Sequence, residues 1–81
     1  MKAEFVKKFD EVYRLLSQET QKKFDKQLAY LLKNMRHPSL RAKKYDETLD
    51  IWQARVNGHF RFYFQIRGDT YYILNIRKHQ D

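Results

Sequence analysis

The chain has 81 residues, no cysteine, and a net charge of +7 that comes from 17 lysines and arginines against 10 acidic residues. This length suits one domain, spanning residues 1–81, and the absence of cysteine argues against a disulfide-stabilised secreted protein. No apolar stretch is long enough for a membrane span or a signal peptide, so we expect a cytoplasmic protein whose basic surface attracts polyanions or an acidic protein.

The first half of the chain predicts two helices. The first is an amphipathic helix over residues 4–16, because apolar residues recur there with the period of one helix face. Its buried stripe consists of Phe5, Phe9, Val12 and Leu16. Ser17 is suited to cap the N-terminus of a second helix, and Pro38 ends it. The buried stripe of the second helix consists of Phe24, Leu28, Leu31, Leu32 and Met35.

The second half predicts three strands, over residues 51–56, 60–66 and 70–76, where β-branched and aromatic residues are dense. The third strand is apolar on both faces, which favours an interior position in the sheet. Its other neighbour is a short segment before Phe5, although that segment is almost too short for a strand. The predicted fold is α+β, with an N-terminal helical hairpin packed on a twisted antiparallel sheet.

The register of the first two strands follows from which face is buried. A strict two-residue turn at Asn57-Gly58 mixes apolar and charged side chains on each face, whereas a three-residue loop or an equivalent bulge separates them. The preferred register gives one apolar face, which consists of Trp52, Ala54, Val56, Phe60, Phe62 and Phe64. The opposite face contains Gln53, Arg55, Arg61, Tyr63 and Gln65.

Arg55 and Arg61 lie directly opposite each other in this register. Like charges in such a pair destabilise a sheet unless an anion lies near them, and guanidinium groups bind phosphate in a bidentate manner. Tyr63 beside them offers a ring on which a base could stack. The alternative interpretation is a solvated face with acidic neighbours. His79 is a possible general acid or base, although its position alone favours an ordinary tail residue.

The segment of residues 39–50 has little periodicity and predicts a loop with a short edge strand. It contains a basic group that extends the arginine pair, Arg41, Lys43 and Lys44, and an acidic group, Asp46, Glu47 and Asp50. The acids are candidate bases, but three acids in one loop are more often solvating groups. The histidines lack the spacing of a zinc site, and no glycine-rich nucleotide motif is present, so we expect neither a metal ion nor a cofactor.

Five segments occur in an order and spacing that resemble a known family. They are HPSLRAKK at 37–44, IWQARV at 51–56, FRFYF at 60–64, the Gly68-Asp69 turn and His79. Together they resemble the RelE/ParE superfamily of toxins from bacterial type II toxin–antitoxin systems. The resemblance implies a microbial-RNase-like fold. It also implies either cleavage of messenger RNA in the ribosomal A site, as in the ribosome-dependent members, or inhibition of DNA gyrase, as in the ParE branch.

The resemblance also assigns roles to residues. Arg61 matches the strand arginine that contacts the scissile phosphate in the nucleases, and Arg55 matches a basic residue on the neighbouring strand. His79 matches the C-terminal histidine of YoeB-like members, although no tyrosine follows it, and Glu47 is a looser match to their acidic base. The candidate RNA-binding residues are Arg41, Lys43, Lys44, Gln53 and Tyr63.

The leading prediction is a metal-independent endoribonuclease that acts on messenger RNA on the ribosome. Arg61, helped by Arg55, stabilises charge on the phosphate, Glu47 is a candidate base, and His79 is either the base or the acid. The alternatives are a gyrase inhibitor that acts by binding and a non-toxic member that only binds its antitoxin. The resemblance implies an acidic antitoxin as partner, with operator DNA contacted only through that antitoxin.

Overall fold

The computed structural model describes residues 1–79. Within that range the elements are β1 (Lys2–Phe5), α1 (Phe9–Arg14), α2 (Gln18–Lys33), a 3₁₀ turn (Pro38–Leu40), β2 (Lys43–Asp46), β3 (Ile51–Arg55), β4 (Phe60–Arg67) and β5 (Thr70–Lys78). The predicted α+β class is confirmed. Neither α-helix of the described range has the length and hydropathy that a membrane crossing requires.

The first helix is shorter than predicted because the chain before it forms a strand. β1 pairs in parallel with β5, and Phe5 lies opposite Ile73, so the prediction of a helix beginning at residue 4 is wrong. The edge of β5 supplies backbone hydrogen bonds that a helix would otherwise have made internally. The rings of Phe5 and Phe9 are nevertheless 4.9 Å apart. Phe5 therefore fitted the helical spacing of the predicted stripe because it packs beside Phe9, although it belongs to a strand.

The second helix begins where the sequence predicts. Ser17 has an extended conformation, and its Oγ accepts a hydrogen bond of 3.1 Å from the Thr20 N–H, which satisfies one of the free donors of the first turn. The helix ends at Lys33, earlier than predicted, and Asn34 follows in an extended conformation. Pro38 instead begins the 3₁₀ turn. The buried residues of α2 are Thr20, Phe24, Gln27 and Leu31.

The strands of the described range form one five-stranded sheet in the order β1-β5-β4-β3-β2. β1 is parallel to β5, and the other neighbouring pairs are antiparallel. β2 is the edge strand predicted within residues 39–50. β5 lies in the interior of the sheet between β1 and β4, which agrees with its apolar sequence on both faces.

The register between β3 and β4 is the predicted one. Ala54 pairs with Phe62, and Arg55 pairs with Arg61. The apolar face packs against the helices, where Phe24 of α2 meets Phe62 edge-on with ring centroids 5.2 Å apart. The side chains of this face that are 0% exposed are Ala54, Val56, Phe62, Phe64 and Ile73. We call it the inner face, and we call the opposite face, which carries Arg55 and Arg61, the outer face.

Candidate nucleic-acid interface

Three arginines form a row across the outer face of the sheet. Arg55 on β3 pairs with Arg61 on β4, and Arg61 in turn pairs with Arg77 on β5. Directly paired residues have Cβ atoms about 5 Å apart, so the three side chains are close neighbours. The sequence prediction missed Arg77 because it ended the third strand at residue 76. The burial pattern gave little signal, since Arg77 and Lys78 are both exposed and the last buried residue of the strand is Ile76.

The charge of this arginine row is not neutralised within the part of the chain that the structure describes. The ion pairs among residues 1–79 are Lys2–Asp69 and Lys44–Asp50. Neither of them includes Arg55, Arg61 or Arg77. Three adjacent guanidinium groups without a carboxylate partner among residues 1–79 create a positive strip, which favours the binding of an anion such as a phosphodiester.

The loop of residues 57–59 binds the side chain of Arg61 and lies beside that of Arg55. Nη1 of Arg61 donates hydrogen bonds to the carbonyl oxygens of Asn57, at 2.8 Å, and of Phe60, at 3.1 Å. Nη2 of Arg55 lies beside the same loop, 3.9 Å from the position that a Cβ atom on Gly58 would occupy. Two guanidinium groups from neighbouring strands therefore converge on one short loop.

His79 reaches the same loop from β5. Its backbone N–H donates a 2.7 Å hydrogen bond to the carbonyl oxygen of His59, which continues the β4–β5 pairing beyond Lys78. His79 and Arg77 are two residues apart, so strand alternation places both on the outer face. They line one groove of about 400 Å³, whose other walls include Tyr45, Gln53 and Tyr63. A group able to transfer protons thus lies beside the arginine row.

Tyr63 lies in the same groove, between an aromatic ring and two cations. Its ring meets the Tyr45 ring edge-on, with centroids 4.9 Å apart. Partial burial raises the pKa of the Tyr63 hydroxyl and Tyr45 raises it further, whereas the charges of Arg77 and Arg61 lower it. The net pKa shift is upward, so the hydroxyl stays protonated at neutral pH and can donate a hydrogen bond.

A second row of outer-face residues runs beside the arginines. Lys43 on β2 pairs with Gln53, which pairs with Tyr63, which pairs with Asn75 on β5. Gln53 is only 7% exposed, so it contributes mainly to the floor of the groove. The structure therefore brings together Lys43, Gln53 and Tyr63, three of the candidate RNA-binding residues.

Lys44 and Glu47 are not part of this arrangement. Lys44 alternates to the other face of β2, where its Nζ lies 4.8 Å from the centroid of the Trp52 ring and forms an ion pair with Asp50. The hydrogen bond that Lys44 donates to the Asp50 carboxylate raises the pKa of Lys44, and the charges of Asp50 and Glu47 raise it further against a smaller lowering by burial. Lys44 therefore interacts electrostatically with Asp50 and Glu47. The role of Lys44 in RNA binding and that of Glu47 in catalysis stay predictions.

Arg41 lies outside the groove but close to Arg55. It follows the 3₁₀ turn with a φ of 47°, a left-handed conformation that non-glycine residues seldom adopt. Arg41, Arg55 and Lys23 line a hollow of about 370 Å³ beside the loop of residues 57–59. Lys23 was not among the predicted site residues, because an exposed lysine on an amphipathic helix carries no distinguishing pattern.

Solved structures share this architecture over nearly the full chain. The YoeB/ParE toxin from Agrobacterium tumefaciens has a TM-score of 0.81 at 13% identity, with 99% of this chain and 100% of that chain covered. This chain has the RelE/ParE toxin fold. The isolated Escherichia coli RelE toxin has a TM-score of 0.75 at 14% identity, covering 99% of this chain and 85% of its own. A YoeB–YefM complex from Staphylococcus aureus has a TM-score of 0.77 at 16% identity, with 99% of this chain and 98% of that chain covered.

Similarity to the RelE/ParE toxin fold is structural. No protein-family profile matches the sequence, and no curated protein sequence is significantly similar to it. The fold inferred from the short sequence segments is confirmed by the three-dimensional comparison. What the outer face of this RelE/ParE fold does is a separate question, which depends on the residues that this chain places there.

Proposed function

We propose that this chain is the toxin of a type II toxin–antitoxin system and that it cleaves messenger RNA without a metal ion. The observation that supports this most directly is the row of Arg55, Arg61 and Arg77 on an outer sheet face, without a carboxylate partner in residues 1–79. Guanidinium groups are suited to a phosphodiester because their donors match its oxygens in a bidentate manner. The RelE/ParE toxin fold supports the assignment as a toxin.

The proposed reaction is an internal transfer within the RNA backbone. A base takes the proton from a ribose 2′-hydroxyl, the 2′-oxygen forms a bond to the adjacent phosphorus, and the bond from phosphorus to the 5′-oxygen breaks. The products are a 2′,3′-cyclic phosphate and a 5′-hydroxyl. Arg61 and Arg77 stabilise the additional charge on the phosphate oxygens. His79 either takes the 2′ proton as the base or protonates the departing 5′-oxygen as the acid, because an imidazole can serve in both roles, and solvent water makes the other transfer.

The proposed partner is an acidic antitoxin. The S. aureus neighbour is a complex of YoeB with YefM, and a chain with a net charge of +7 is electrostatically complementary to an acidic segment. We propose that this segment covers the outer face, so that the arginine row is unavailable to RNA, and that operator DNA is contacted through the antitoxin alone. A pull-down from the native host should recover a small acidic protein. Recovery of no such protein would contradict this part of the proposal.

The decisive experiment compares variants of the outer face after induced expression. Arg61→Ala and His79→Ala should abolish growth arrest and RNA cleavage, measured by primer extension. Loss of one charge-stabilising donor typically slows such reactions by about 10²–10³-fold, and loss of a general acid or base by about 10²–10⁴-fold. Arg67→Ala is the matched control: it removes an arginine from the same strand, but one that stacks on Tyr72 at 4.5 Å and lies away from the row. If both Arg61→Ala and His79→Ala proteins remain fully toxic, the proposed site is wrong.

The order of events after induction separates this function from gyrase inhibition. Cleavage of messenger RNA stops protein synthesis before any damage to DNA, and the cut transcripts should be visible within the same interval. If filamentation and DNA damage come first and transcripts stay intact, the chain acts by binding gyrase, and the nuclease proposal is wrong.

A further inference from the structure

A second basic site lies between α2, the 3₁₀ turn and the loop of residues 57–59. It is a hollow of about 370 Å³, lined by one cation from each of three segments: Lys23 of α2, Arg41 after the 3₁₀ turn and Arg55 of β3. We call it the Lys23–Arg41–Arg55 hollow. These residues are 14 or more positions apart in sequence, so only the tertiary fold brings them together.

The floor of the hollow is a buried amide that fixes its walls. Gln27 is 1% exposed. Its Nε2 donates hydrogen bonds to the carbonyl oxygens of Ser39, at 3.1 Å, and of Arg55, at 2.8 Å, and its Oε1 accepts one from Ser39 Oγ at 3.2 Å. One side chain therefore links α2, the 3₁₀ turn and β3. The backbone that carries Arg41 and Arg55 is therefore tied to α2 before any anion enters the hollow.

The three cations of the hollow are not neutralised by the described residues. No carboxylate side chain lines it, and none of its three cations takes part in either ion pair of residues 1–79. Like charges held around one cavity repel each other unless an anion is present. The arrangement thus favours an anion that accepts several hydrogen bonds at once.

Asn57 adds a neutral donor to the same wall. Its Oδ1 accepts hydrogen bonds from the backbone N–H groups of His59, at 2.8 Å, and Phe60, at 2.9 Å. The orientation of the amide is thereby fixed, and its nitrogen is the polar atom left to donate. Three cationic side chains and one amide donor suit the oxygens of a phosphate better than the two oxygens of a carboxylate.

We propose that the Lys23–Arg41–Arg55 hollow binds a phosphate group of an RNA chain whose scissile phosphate lies on the arginine row. The choice of RNA rests on the proposed function, whereas the choice of phosphate rests on the hollow itself. Arg55 connects the two places, because it lies opposite Arg61 in the sheet while its guanidinium group lies beside Gly58. An RNA chain that crosses the row can therefore place a neighbouring phosphate in the hollow.

The test measures binding of a short RNA made uncleavable by a 2′-deoxy substitution, using the full chain. Lys23→Gln and Arg41→Gln should each weaken binding by about tenfold, the usual effect of losing one charge-assisted hydrogen bond. Each should also reduce the slope of log affinity against log salt by about 0.7. Lys33→Gln is the control, since it removes the same charge from the same helix about 15 Å further along. It should have little effect.

A second experiment adds inorganic phosphate to the protein and monitors binding by the NMR chemical shifts of the Asn57 and Gly58 backbone amides. It distinguishes failure of the phosphate site from failure of the proposed RNA function. If Arg77→Gln weakens RNA binding but Lys23→Gln and Arg41→Gln do not, the hollow is not an RNA subsite, although the proposed function stands. If no RNA binds but phosphate shifts these amides in the unmodified protein and not in the Arg41→Gln protein, the site is real and the proposed function is wrong. If Arg41→Gln weakens only antitoxin binding, or if phosphate causes no shifts and RNA binding is unaffected, the inference is overturned.

Discussion

The two faces of the sheet are made of alternate residues of the same strands, yet they differ in almost every property. On β4, Phe62 and Phe64 point to the inner face and are 0% exposed, while Arg61 and Tyr63 point to the outer face and are partly exposed. The inner face is apolar and covered by helices, and the outer face is basic and contains a groove. Neighbouring positions in the sequence should therefore affect stability and activity in opposite ways.

The largest expected effect is on the inner face. Phe62→Ala should lower the free energy of unfolding by about 3–5 kcal/mol, because it removes a ring packed against Phe24 and Phe64 and leaves a cavity. This is a large part of the stability of a small domain. Urea denaturation followed by tryptophan fluorescence measures it. Tyr63→Phe, one residue away on the outer face, is the control and should change stability by less than about 0.5 kcal/mol. Similar losses in both variants would contradict the division between the faces.

A smaller loss is expected from the buried amide that joins the two regions. Gln27→Leu should lower the free energy of unfolding by about 2 kcal/mol, because the carbonyl oxygens of Ser39 and Arg55 lose a buried donor. Gln21→Leu is the comparison, since that side chain is less buried and donates one hydrogen bond, to the Tyr13 carbonyl oxygen. Denaturation curves for both variants should place Gln27→Leu clearly below Gln21→Leu. Equal stabilities would show that the Gln27 amide does not hold the hollow together.

The features that the sequence predicted correctly are those in which local pattern and burial agree. The register of β3 and β4 followed from a requirement that one face be apolar, and a shift by one residue would have placed Arg61 in the core. The start of α2 followed from Ser17, whose capping interaction involves residues only three positions apart. Neither inference required knowledge of distant parts of the chain.

The features that were missed depend on tertiary contacts. β1 has four residues, too few to show a period, so the sequence indicated only a short neighbour of the third strand before Phe5 and still began the first helix at residue 4; the strand exists because β5 offers an edge for parallel pairing. Arg77 lies beyond the predicted end of the third strand at residue 76, because the last residues of β5 have little burial. Lys23 resembles any solvent-facing lysine until the fold brings Arg41 and Arg55 beside it. The direct pairing of site residues could be predicted only for Arg55 and Arg61, which share one hairpin.

The helix α2, which covers the inner face, is stabilised at its start by the Ser17 cap. Removing that cap should cause a loss of stability smaller than that of Gln27→Leu. Ser17→Ala should lower the free energy of unfolding by about 1 kcal/mol, because the Thr20 N–H loses its acceptor. Thermal or urea unfolding measures the loss. Ser17→Asn restores an acceptor at the same position and should recover most of the stability. No difference between the alanine and asparagine variants would show that the cap contributes nothing.

On the outer face, removal of an arginine should increase stability rather than decrease it. Arg77→Gln removes one of the positive charges next to Arg61, so the free energy of unfolding should rise by about 0.5 kcal/mol. The gain should be larger at low salt, where charges are less screened. Lys78→Gln removes the same charge from the next residue, which pairs with Phe60 instead, and should show no such gain. A stability loss in Arg77→Gln would mean that the row is not under electrostatic strain.

The smallest expected effect is a change in the pKa of Tyr63, which reports the charge that Arg77 contributes to the outer face. Burial raises the pKa of its hydroxyl from 10.0 while Arg77 and Arg61 lower it, so Arg77→Gln should raise this pKa further. A raised pKa means that the fold favours the neutral phenol; the stability it provides is present below the unfolded pKa of about 10 and is lost as pH rises through the folded value. That alkaline loss should be larger in the variant. Titration of the Tyr63 ¹³Cζ resonance measures the shift, and an unchanged or lower pKa would show that Arg77 does not act on the groove.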